Sequence, residues 1–231
     1  MPKEINQKVN ITVVIPAYNE ERNIEKIIND VKPFCDNIIV SVAKKSKDQT
    51  ANIAKQLGVK VVIDHGLGKG DGIRSSIEYL DDGIVVFIDG DGSHIASDIP
   101  LIVQPIIDDK ADMVIASRFL GGSEELHGDF NKFLRMFFSM CIAQIINWRF
   151  KTEMQDTQNG YRAFEVKVLK DLNLTSNHTE IETEMCMKCI KKKYRILEVP
   201  SRELKRSSGK SNISILKHGK RYAWTVFKNL F

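Results

Sequence analysis

The sequence has few of the features that mark secreted or membrane-spanning proteins. It has 4 cysteines in 231 residues, and Cys186 and Cys189 form a CxxC without the second pair that a zinc site needs, so we expect them to pack within a helix. The start of the chain is polar, unlike a signal peptide. Residues 136–148, the longest apolar segment without a charge, fall short of the about 20 residues of a spanning helix. We therefore expect a protein of the reducing cytoplasm.

The sequence also lacks the best-known phosphate-binding loops and any recognisable nucleic-acid reader. The glycine-rich turn at residues 66–72 has neither the P-loop pattern nor the Rossmann spacing. Its backbone N–H groups, next to Lys69 at a helix start, could still approach a phosphate. From Lys188 to the end there are 13 Lys and Arg but 2 Asp and Glu, which favours an anionic partner such as phosphate, a lipid headgroup or nucleic acid. Because no reader motif is present, we do not expect nucleic acid.

The chain does have a regular alternation of apolar runs and amphipathic segments. Such an alternation predicts βαβ units and a mostly parallel sheet flanked by helices, an α/β fold. We expect Asn19 to cap the first helix, and Ser46 with Gln49 to form a capping box on the second. The predicted strands are 11–15, 38–42, 59–63, 84–88, 113–116 and 196–199, with a short one after the polar loop 156–164. The predicted helices are 21–31, 46–57, one from the glycine-rich turn to residue 80, 98–108, 129–150 and 179–192.

Two aspartates follow the fourth predicted strand. Residues 84–88 are all apolar, which is typical of a strand buried on both faces. Asp89 and Asp91 come next, and ligands of open α/β sheets bind beyond the carboxyl ends of the strands. Paired carboxylates suit hard divalent ions such as Mg²⁺ or Mn²⁺. An acidic turn in which Gly90 and Gly92 supply positive φ explains the same residues, so the spacing leaves both interpretations open.

Two segments suggest interfacial helices. Residues 129–150 carry more apolar surface than one amphipathic helix normally hides, which fits packing inside the fold or contact with a membrane interface. Residues 213–231 alternate basic and aromatic side chains. We predict a single domain at residues 1–215, followed by a basic, aromatic amphipathic helix at residues 216–231.

Six motifs occur in the order typical of one family. With them the chain resembles the inverting glycosyltransferases of the GT-A fold, a Rossmann-like architecture, and within these the dolichyl-phosphate mannose and dolichyl-phosphate glucose synthases. The resemblance covers residues 9–215. The motifs are residues 14–20, the Asp89/Asp91 pair with Ser93 and His94, and residues 117–119, 156–164, 198–200 and 206–211.

The resemblance implies a site for a nucleotide sugar, a UDP- or GDP-hexose, and for a polyprenyl phosphate. Asp89 and Asp91 match the metal ligands, for Mg²⁺ or Mn²⁺. Arg118, Arg135 and Ser139 match residues that meet the acceptor phosphate. The catalytic assignments are Asp91, Arg118 and Asp156. The donor-binding assignments are Pro16, Tyr18 and Glu20 in the nucleotide pocket, Lys69, Asp89 and Asp91 near the diphosphate, and Arg206 and Lys210 on a cationic tail that closes over the phosphates.

One position departs from the family's pattern. Members usually have Asp-Asp-Gly-Ser after the second strand, where an aspartate contacts the nucleobase, whereas this chain has Ala43-Lys44-Lys45-Ser46. Asp48 and Thr50 of the following motif are present. The sequence leaves open whether the lysines favour another base, whether backbone groups make the contact, or whether the chain no longer binds a nucleotide.

The expected reaction is metal-dependent transfer of a hexose to a polyprenyl phosphate with inversion. The leaving diphosphate gains negative charge, which a divalent ion and nearby Arg or Lys side chains stabilise. A lipid phosphate is already an anion and needs no strong base. A hydroxyl acceptor would need a carboxylate, and the candidates are Asp156, Glu180, Glu182 and Glu184.

Alternatives remain at the level of sequence. The chain could transfer a sugar to another acceptor, or be a non-catalytic, membrane-associated relative of a transferase. A sugar nucleotidyltransferase would need a glycine-rich basic loop directly after the first strand, and residues 16–20 do not provide one. Because a polyprenyl acceptor lies in a bilayer, we expect peripheral binding to the cytoplasmic face of a membrane.

Overall fold

The computed structural model describes residues 9–124, 130–207 and 215–230, and a seven-stranded sheet runs through them. The strands are β1 (Ile11–Ala17), β2 (Asn37–Val42), β3 (Lys60–Ile63), β4 (Ile84–Phe87), β5 (Met113–Ser117), β6 (Arg162–Glu165) and β7 (Ile196–Pro200). The helices are α1 (Ile24–Val31), α2 (Thr50–Gln56), α3 (Lys69–Ile77), α4 (Ile99–Ile107), α5 (Arg118–Gly121), α6 (Phe130–Phe150), α7 (Val166–Asp171), α8 (Ile181–Lys191) and α9 (Ile215–Leu230).

The sheet has the order β3-β2-β1-β4-β6-β5-β7. β1 pairs in parallel with both β2 and β4, so that Val13 lies opposite Ile38 on one side and Val86 on the other. β6 is antiparallel to both of its neighbours, β4 and β5. The predicted α/β fold with a mostly parallel sheet flanked by helices is confirmed.

Apolar side chains pack on both faces of this sheet. Alternate residues of a strand point to opposite faces, and accordingly Val13 packs with α1 and α4 while Val14 packs with Phe87, α7 and α8. The buried cysteines Cys186 and Cys189 of α8 belong to the second layer. Their predicted role in helix packing is confirmed.

The predicted caps of the first two helices are wrong. α1 begins at Ile24 and α2 at Thr50, each several residues later than predicted. Asn19 and Ser46 instead connect the two loops, because the Asn19 N–H donates to Ser46 Oγ at 3.1 Å and the Lys47 N–H donates to Asn19 Oδ1 at 2.9 Å. Polar side chains that could cap a helix here bind a neighbouring loop, and they hold the end of β1 beside the end of β2.

The helices α6 and α9 present aromatic side chains to the outside. Ile146 of α6, Met187 of α8 and Val226 of α9 form a small buried cluster that joins the three helices. Trp148 on α6 is 83% exposed and Trp224 on α9 is 65% exposed. The other exposed large apolar residues on these helices are Phe133, Phe137, Phe138, Met140, Ile145 and Phe227.

No helix within the described ranges is long and apolar enough to cross a membrane. The predicted boundary near residue 215 stays a prediction.

Candidate active site at the carboxyl edge of the sheet

The polar residues predicted for the site meet where β1, β4 and β5 end. Glu20 follows β1, Asp89 and Asp91 follow β4, and Arg118 follows β5. Ligands of open α/β sheets bind at this edge because the strand ends and helix starts expose polar groups there. The edge therefore brings the candidate donor residues within reach of one another.

Lys69 connects the glycine-rich turn to the acidic turn. Its Nζ lies 2.6 Å from Asp89 Oδ1 and 2.8 Å from Glu182 Oε1. Although burial opposes ionisation, Lys69 lowers the pKa of Asp89 to about 2, and His94 and Arg206 add to this effect. Burial also opposes a charge on Lys69, but Asp89 and Glu182 raise the pKa of the ammonium above its ordinary value. Lys69 and Asp89 are thus both ionised at neutral pH.

Gly160 gives this cluster its space. A Cβ atom at residue 160 would lie 2.7 Å from Lys69 Nζ and 2.9 Å from Asp89 Oδ2. Such distances are well below van der Waals contact, so any side chain here would push the ion pair aside. The glycine of the predicted polar loop therefore lies directly against the candidate diphosphate site.

Asp91 contacts Arg206 and Ser207, which belong to the segment after β7. The Ser93 Oγ donates to Asp91 Oδ1 at 2.7 Å, and Arg206 Nη2 lies 3.0 Å from Asp91 Oδ2. The Ser207 N–H donates to the Asp91 carbonyl oxygen at 3.1 Å, which ties the segment to the acidic turn. Arg206 is thus paired with Asp91, and its role toward a donor phosphate stays a prediction. Lys210 lies outside the described residues.

Arg118 and Asp156 form a buried, bidentate ion pair. Arg118 Nε donates to Asp156 Oδ2 at 2.7 Å and Nη2 donates to Oδ1 at 2.8 Å. Burial opposes ionisation of Asp156, but Arg118 holds the pKa of this carboxyl below its usual range. The Asp156 N–H donates to Glu198 Oε1 at 2.6 Å, which fixes the loop. Both oxygens of Asp156 are therefore used to hold Arg118, and its catalytic role as a base stays an untested prediction.

Glu20 is half-buried beside the acidic turn. Burial, which the Asn23 amide only partly opposes, raises the pKa of Glu20 to about 7, and the nearby Asp91 carboxylate adds to the rise. Asn23 Nδ2 donates to Glu20 Oε2 at 2.7 Å. Among the other residues of the predicted nucleotide pocket, Pro16 lies in β1 and Tyr18 is exposed just beyond it. Glu20 therefore adds a negative charge beside Asp91 as the pH rises past 7.

The predicted acceptor residues on α6 lie one helical turn apart. Ser139 is buried, and its hydroxyl has no hydrogen-bond partner among the described residues. Arg135 is partly buried on the preceding turn. A cavity of about 370 Å³ separates α6 from Phe119, the neighbour of Arg118, and Met140 and Met154 line it. The roles of Arg135 and Ser139 toward a lipid phosphate stay predictions.

The altered loop after β2 is held by a buried carboxylate. Asp64 Oδ1 accepts hydrogen bonds from the backbone N–H of Lys44 at 2.8 Å and from that of Gly66 at 2.7 Å. Asp64 follows β3 directly. The loop that lacks the family's usual aspartate is therefore supported by a carboxylate from the next strand, next to the glycine-rich turn.

Several contacts in the site are not evident from the sequence. Glu182, which the sequence offers as a base for a hydroxyl acceptor, is the second carboxylate on Lys69. His94 stacks on Tyr161 with ring centroids 4.9 Å apart, and its Nδ1 accepts the Asp89 N–H at 3.2 Å. Glu203, 3.8 Å from Arg118 Nη1, had no signal in the sequence. A charged residue at the start of a predicted helix, such as Glu182, was the one available signal for the ion cluster.

The donor set suits a hard divalent ion only in part. No group of three or more His, Cys, Asp and Glu side chains is arranged as a metal site in the described part of the chain. Asp89 is held by Lys69, whereas Asp91 faces Arg206 and lies close enough to Glu20 to raise its pKa. Carboxylate oxygens are the ligands that Mg²⁺ and Mn²⁺ prefer. Of the two aspartates, Asp91 would hold a divalent ion, which would supply positive charge beside the donor diphosphate.

Comparison with known proteins assigns the family. Residues 12–172 match the model of glycosyl transferase family 2. The chain belongs to glycosyl transferase family 2. A member of this family is a glycosyltransferase, so the predicted family resemblance is confirmed, together with the general class of reaction.

Two of three similar relatives have names that mention dolichyl phosphate. The chain is 32% identical over 215 residues to the UDP-N-acetylglucosamine–dolichyl-phosphate N-acetylglucosaminyltransferase of Methanococcus voltae, covering 82% of this chain and 84% of the relative. It is 28% identical over 215 residues to glycosyltransferase AglJ of Haloferax volcanii, and the match covers 90% of this chain and 68% of AglJ. It is 26% identical over 191 residues to the dolichyl-phosphate hexose transferase of the same organism, and the match covers 82% of this chain and 81% of the transferase.

Solved structures confirm the fold. Glucosyl-3-phosphoglycerate synthase from Mycobacterium tuberculosis, in complex with Mn²⁺, UDP and glucosyl-3-phosphoglycerate, superposes with a TM-score of 0.76. The match covers 96% of this chain and 80% of the synthase at 21% identity. The same synthase was solved with Mg²⁺ and UDP, with a TM-score of 0.75 and 20% identity. At this identity the likeness establishes the GT-A fold of the family 2 domain.

Proposed function

We propose that this family 2 glycosyltransferase moves a hexose from a nucleoside diphosphate donor to a polyprenyl phosphate, with inversion at the anomeric carbon. The observation that carries the proposal is the set of three cations, Lys69, Arg118 and Arg206, that lie at one edge of the sheet and each pair with a carboxylate. A reaction between two phosphate-bearing substrates needs such a cationic site, because charge builds up where they meet.

In the proposed reaction an oxygen of the lipid phosphate attacks the anomeric carbon. The new carbon–oxygen bond forms as the bond to the nucleoside diphosphate breaks, and the electron pair leaves with the diphosphate. Lys69 and Arg206 stabilise the departing diphosphate, and Arg118 holds the incoming phosphate. No proton has to be removed from an acceptor that is already an anion.

The proposal includes a divalent ion, Mg²⁺ or Mn²⁺, held by Asp91 with Asp89 nearby. When bound, such an ion would add a positive charge next to the donor diphosphate. The structural neighbours were solved with Mn²⁺ or Mg²⁺ together with UDP. Arg206 and the metal ion would then share Asp91.

The carboxylates support an anionic acceptor over a hydroxyl acceptor. Asp156 is held by Arg118, and Glu182 by Lys69. Glu184 accepts hydrogen bonds from the N–H groups of Thr175 and Ser176 and lies 2.7 Å from Lys188 Nζ. Three of the four predicted bases are therefore already engaged with other groups. Relatives named as dolichyl-phosphate transferases agree with this choice of acceptor.

Peripheral attachment to the cytoplasmic face of a membrane is part of the proposal. The exposed aromatic residues of α6 and α9 are of the type that prefers the membrane interface. The exposed basic residues Lys220, Arg221 and Lys228 on α9 would be attracted to anionic lipids. This surface would bring the protein to an acceptor that is not soluble in water.

An assay of the purified chain with several donors and acceptors tests the proposal. UDP- and GDP-hexoses are combined with Mn²⁺ and with polyprenyl phosphate or 3-phosphoglycerate, and the products are separated by mass. We expect transfer to the polyprenyl phosphate, and loss of metal-dependent donor binding in Asp91→Ala. Transfer to 3-phosphoglycerate alone would show a hydroxyl acceptor instead. Donor binding without transfer to either acceptor would contradict the proposed acceptor, and no donor binding would favour a non-catalytic relative.

A further inference from the structure

A pocket between α9 and the loop before α8 contains groups that glycosyl transfer does not use. It has a volume of about 260 Å³ and is lined by residues 175–178 and Glu180 on one side and by α9 on the other. Arg221, Trp224 and Lys228 are its residues from the outer part of α9. The pocket combines exposed cations with a buried carboxylate, an arrangement that suits a ligand carrying both an anionic group and a hydrogen-bond donor.

Two cations lie at the rim. Arg221 and Lys228 are both exposed and are two helical turns apart, so they share one face of α9. Lys228 Nζ donates to Thr175 Oγ1 at 3.3 Å, which points it across the pocket. No salt bridge within the described residues includes either side chain. Both charges are therefore available to a phosphate.

Glu180, which lines the pocket, has one carboxylate oxygen without a hydrogen-bond donor among the described residues. Glu180 is 5% exposed, and its Oε1 accepts the His178 N–H at 3.3 Å. Its Oε2 is buried and has no hydrogen-bond partner in the described part of the chain. A buried polar atom without a partner is costly, so a ligand that donates a hydrogen bond to this oxygen would be favoured.

We propose that this pocket binds the headgroup of an anionic phospholipid that carries hydroxyl groups. The phosphate faces Arg221 and Lys228, and a headgroup hydroxyl donates to Glu180 Oε2. The excess of basic residues on α9 favours a headgroup with a net negative charge over a zwitterionic one. The inference rests on the proposed attachment to a membrane, and it adds recognition of a particular lipid chemistry to it.

The surroundings of the pocket fit a ligand in a bilayer. Trp224 lines the pocket, is 65% exposed and stacks with Phe227 at 6.0 Å between ring centroids. Aromatic side chains of this kind prefer the interfacial layer in which headgroups lie. The loop of the pocket, residues 175–178, also packs directly against the glycine-rich turn at residues 66–72, since a Cβ atom on Gly70 would lie 2.5 Å from the Ser176 carbonyl oxygen. A bound headgroup would hold this turn close to the membrane surface.

Vesicle binding with two lipids of equal charge tests the inference. Phosphatidylglycerol and phosphatidylmethanol are both anionic phosphodiesters, but only the first has headgroup hydroxyls. They are mixed in equal fractions into phosphatidylcholine vesicles, and co-sedimentation gives the partition coefficient of the full chain. We expect tighter binding to phosphatidylglycerol, and Arg221→Gln should remove that preference. The matched control is Lys220→Gln, the exposed neighbour on α9 that does not line the pocket. It should weaken binding to both lipids by about fivefold or less and keep the preference.

The possible results separate the inference from the proposed function. Equal binding to the two lipids by the unmodified chain, or loss of the preference in both variants, would overturn the inference. Equally tight binding of soluble glycerophosphoglycerol without vesicles would overturn the assignment to a lipid. No binding to any anionic vesicle would overturn the inference together with membrane attachment. A retained preference without transfer to polyprenyl phosphate would support the lipid site and contradict only the proposed acceptor.

Discussion

Lys69 Nζ lies 2.6 Å from Asp89 Oδ1, so the glycine-rich turn and the acidic turn meet in one ion pair. The same ammonium also lies 2.8 Å from Glu182 Oε1. One cation therefore keeps two largely buried carboxylates together at the place proposed for the donor diphosphate. Removing it leaves like charges side by side, and this makes the pair the first target for mutation.

We expect Lys69→Gln to lower the free energy of unfolding by up to about 3 kcal/mol, because breaking a buried ion pair leaves carboxylates without compensation. Urea unfolding at neutral pH measures the change. The matched control is Lys110→Gln, which breaks an exposed pair with Asp108 and should change stability much less, because exposed ion pairs contribute little to folding. Equal effects of the two substitutions would contradict the proposed role of Lys69.

The same pair gives an expected dependence on acid. The folded pKa of Asp89, about 2, lies below its ordinary value of 3.8, so its ionisation stabilises the fold above pH 3.8 and this contribution is lost as the pH falls toward 2. The difference in stability between the unmodified chain and Lys69→Gln should therefore shrink between pH 4 and pH 2. A difference that stays constant over this range would indicate that Lys69 acts through packing alone.

Gly160→Ala should disturb the site without a large change in the fold. The added Cβ would lie 2.7 Å from Lys69 Nζ and 2.9 Å from Asp89 Oδ2, and both groups would have to move. We expect donor affinity to fall by at least about tenfold, since placement errors of about 1 Å in such sites are costly. Gly219→Ala is the control, because its Cβ would meet no atom within 4 Å. Calorimetric titration with a nucleoside diphosphate sugar compares the two variants, and equal affinities would contradict this account.

The sequence predicts the parallel half of the sheet well and the ion cluster poorly, and the reasons are physical. β4 is a continuous apolar run that is buried on both faces, and β1 is apolar except for Thr12, so their pattern is visible without any partner. The direction of β6 depends on β4 and β5, which flank it, and a short strand carries no signal for this. Ser46 could cap a helix equally well, but it binds the Asn19 N–H of the neighbouring loop.

The candidate site shows the same division. Asp89 and Asp91 were predictable because they follow a recognisable strand. The contact between Lys69 and Glu182 was not, because it joins the starts of two helices that are distant in the sequence and meet only when the sheet has formed. Pairing of Asp156 with Arg118 likewise depends on β5 and β6 lying side by side.

Asp156→Asn should slow transfer by positioning Arg118 incorrectly. The amide keeps the shape of the side chain but loses one of the two charge-assisted acceptors, and we expect kcat to fall by about 100-fold. The double variant Asp156→Asn with Arg118→Gln should be no slower than Arg118→Gln alone, because both changes act through the same arginine side chain. A double variant that is much slower would indicate that Asp156 acts independently, as a base. Thermal melting of each variant checks that the protein is still folded after the buried ion pair has been changed.

Glu20→Gln tests the raised pKa in the proposed nucleotide pocket. The folded pKa of about 7 lies above the ordinary value of 4.5, so the native state holds a proton that the unfolded chain has released between these values. Stability from Glu20 is therefore fully present below pH 4.5 and is lost as the pH rises toward 7. Because Gln does not titrate, the variant should be more stable than the unmodified chain at pH 8. We expect a difference of about 1 kcal/mol, less than the full shift because Glu20 is only partly buried. The difference should vanish below pH 4.5.

Glu25→Gln, on the exposed face of α1, is the matched control and should show no such trend. Denaturant unfolding of the three proteins at several pH values measures the effect. A constant difference between Glu20→Gln and the unmodified chain would show that Glu20 is charged throughout, and that Asp91 and burial do not hold its proton.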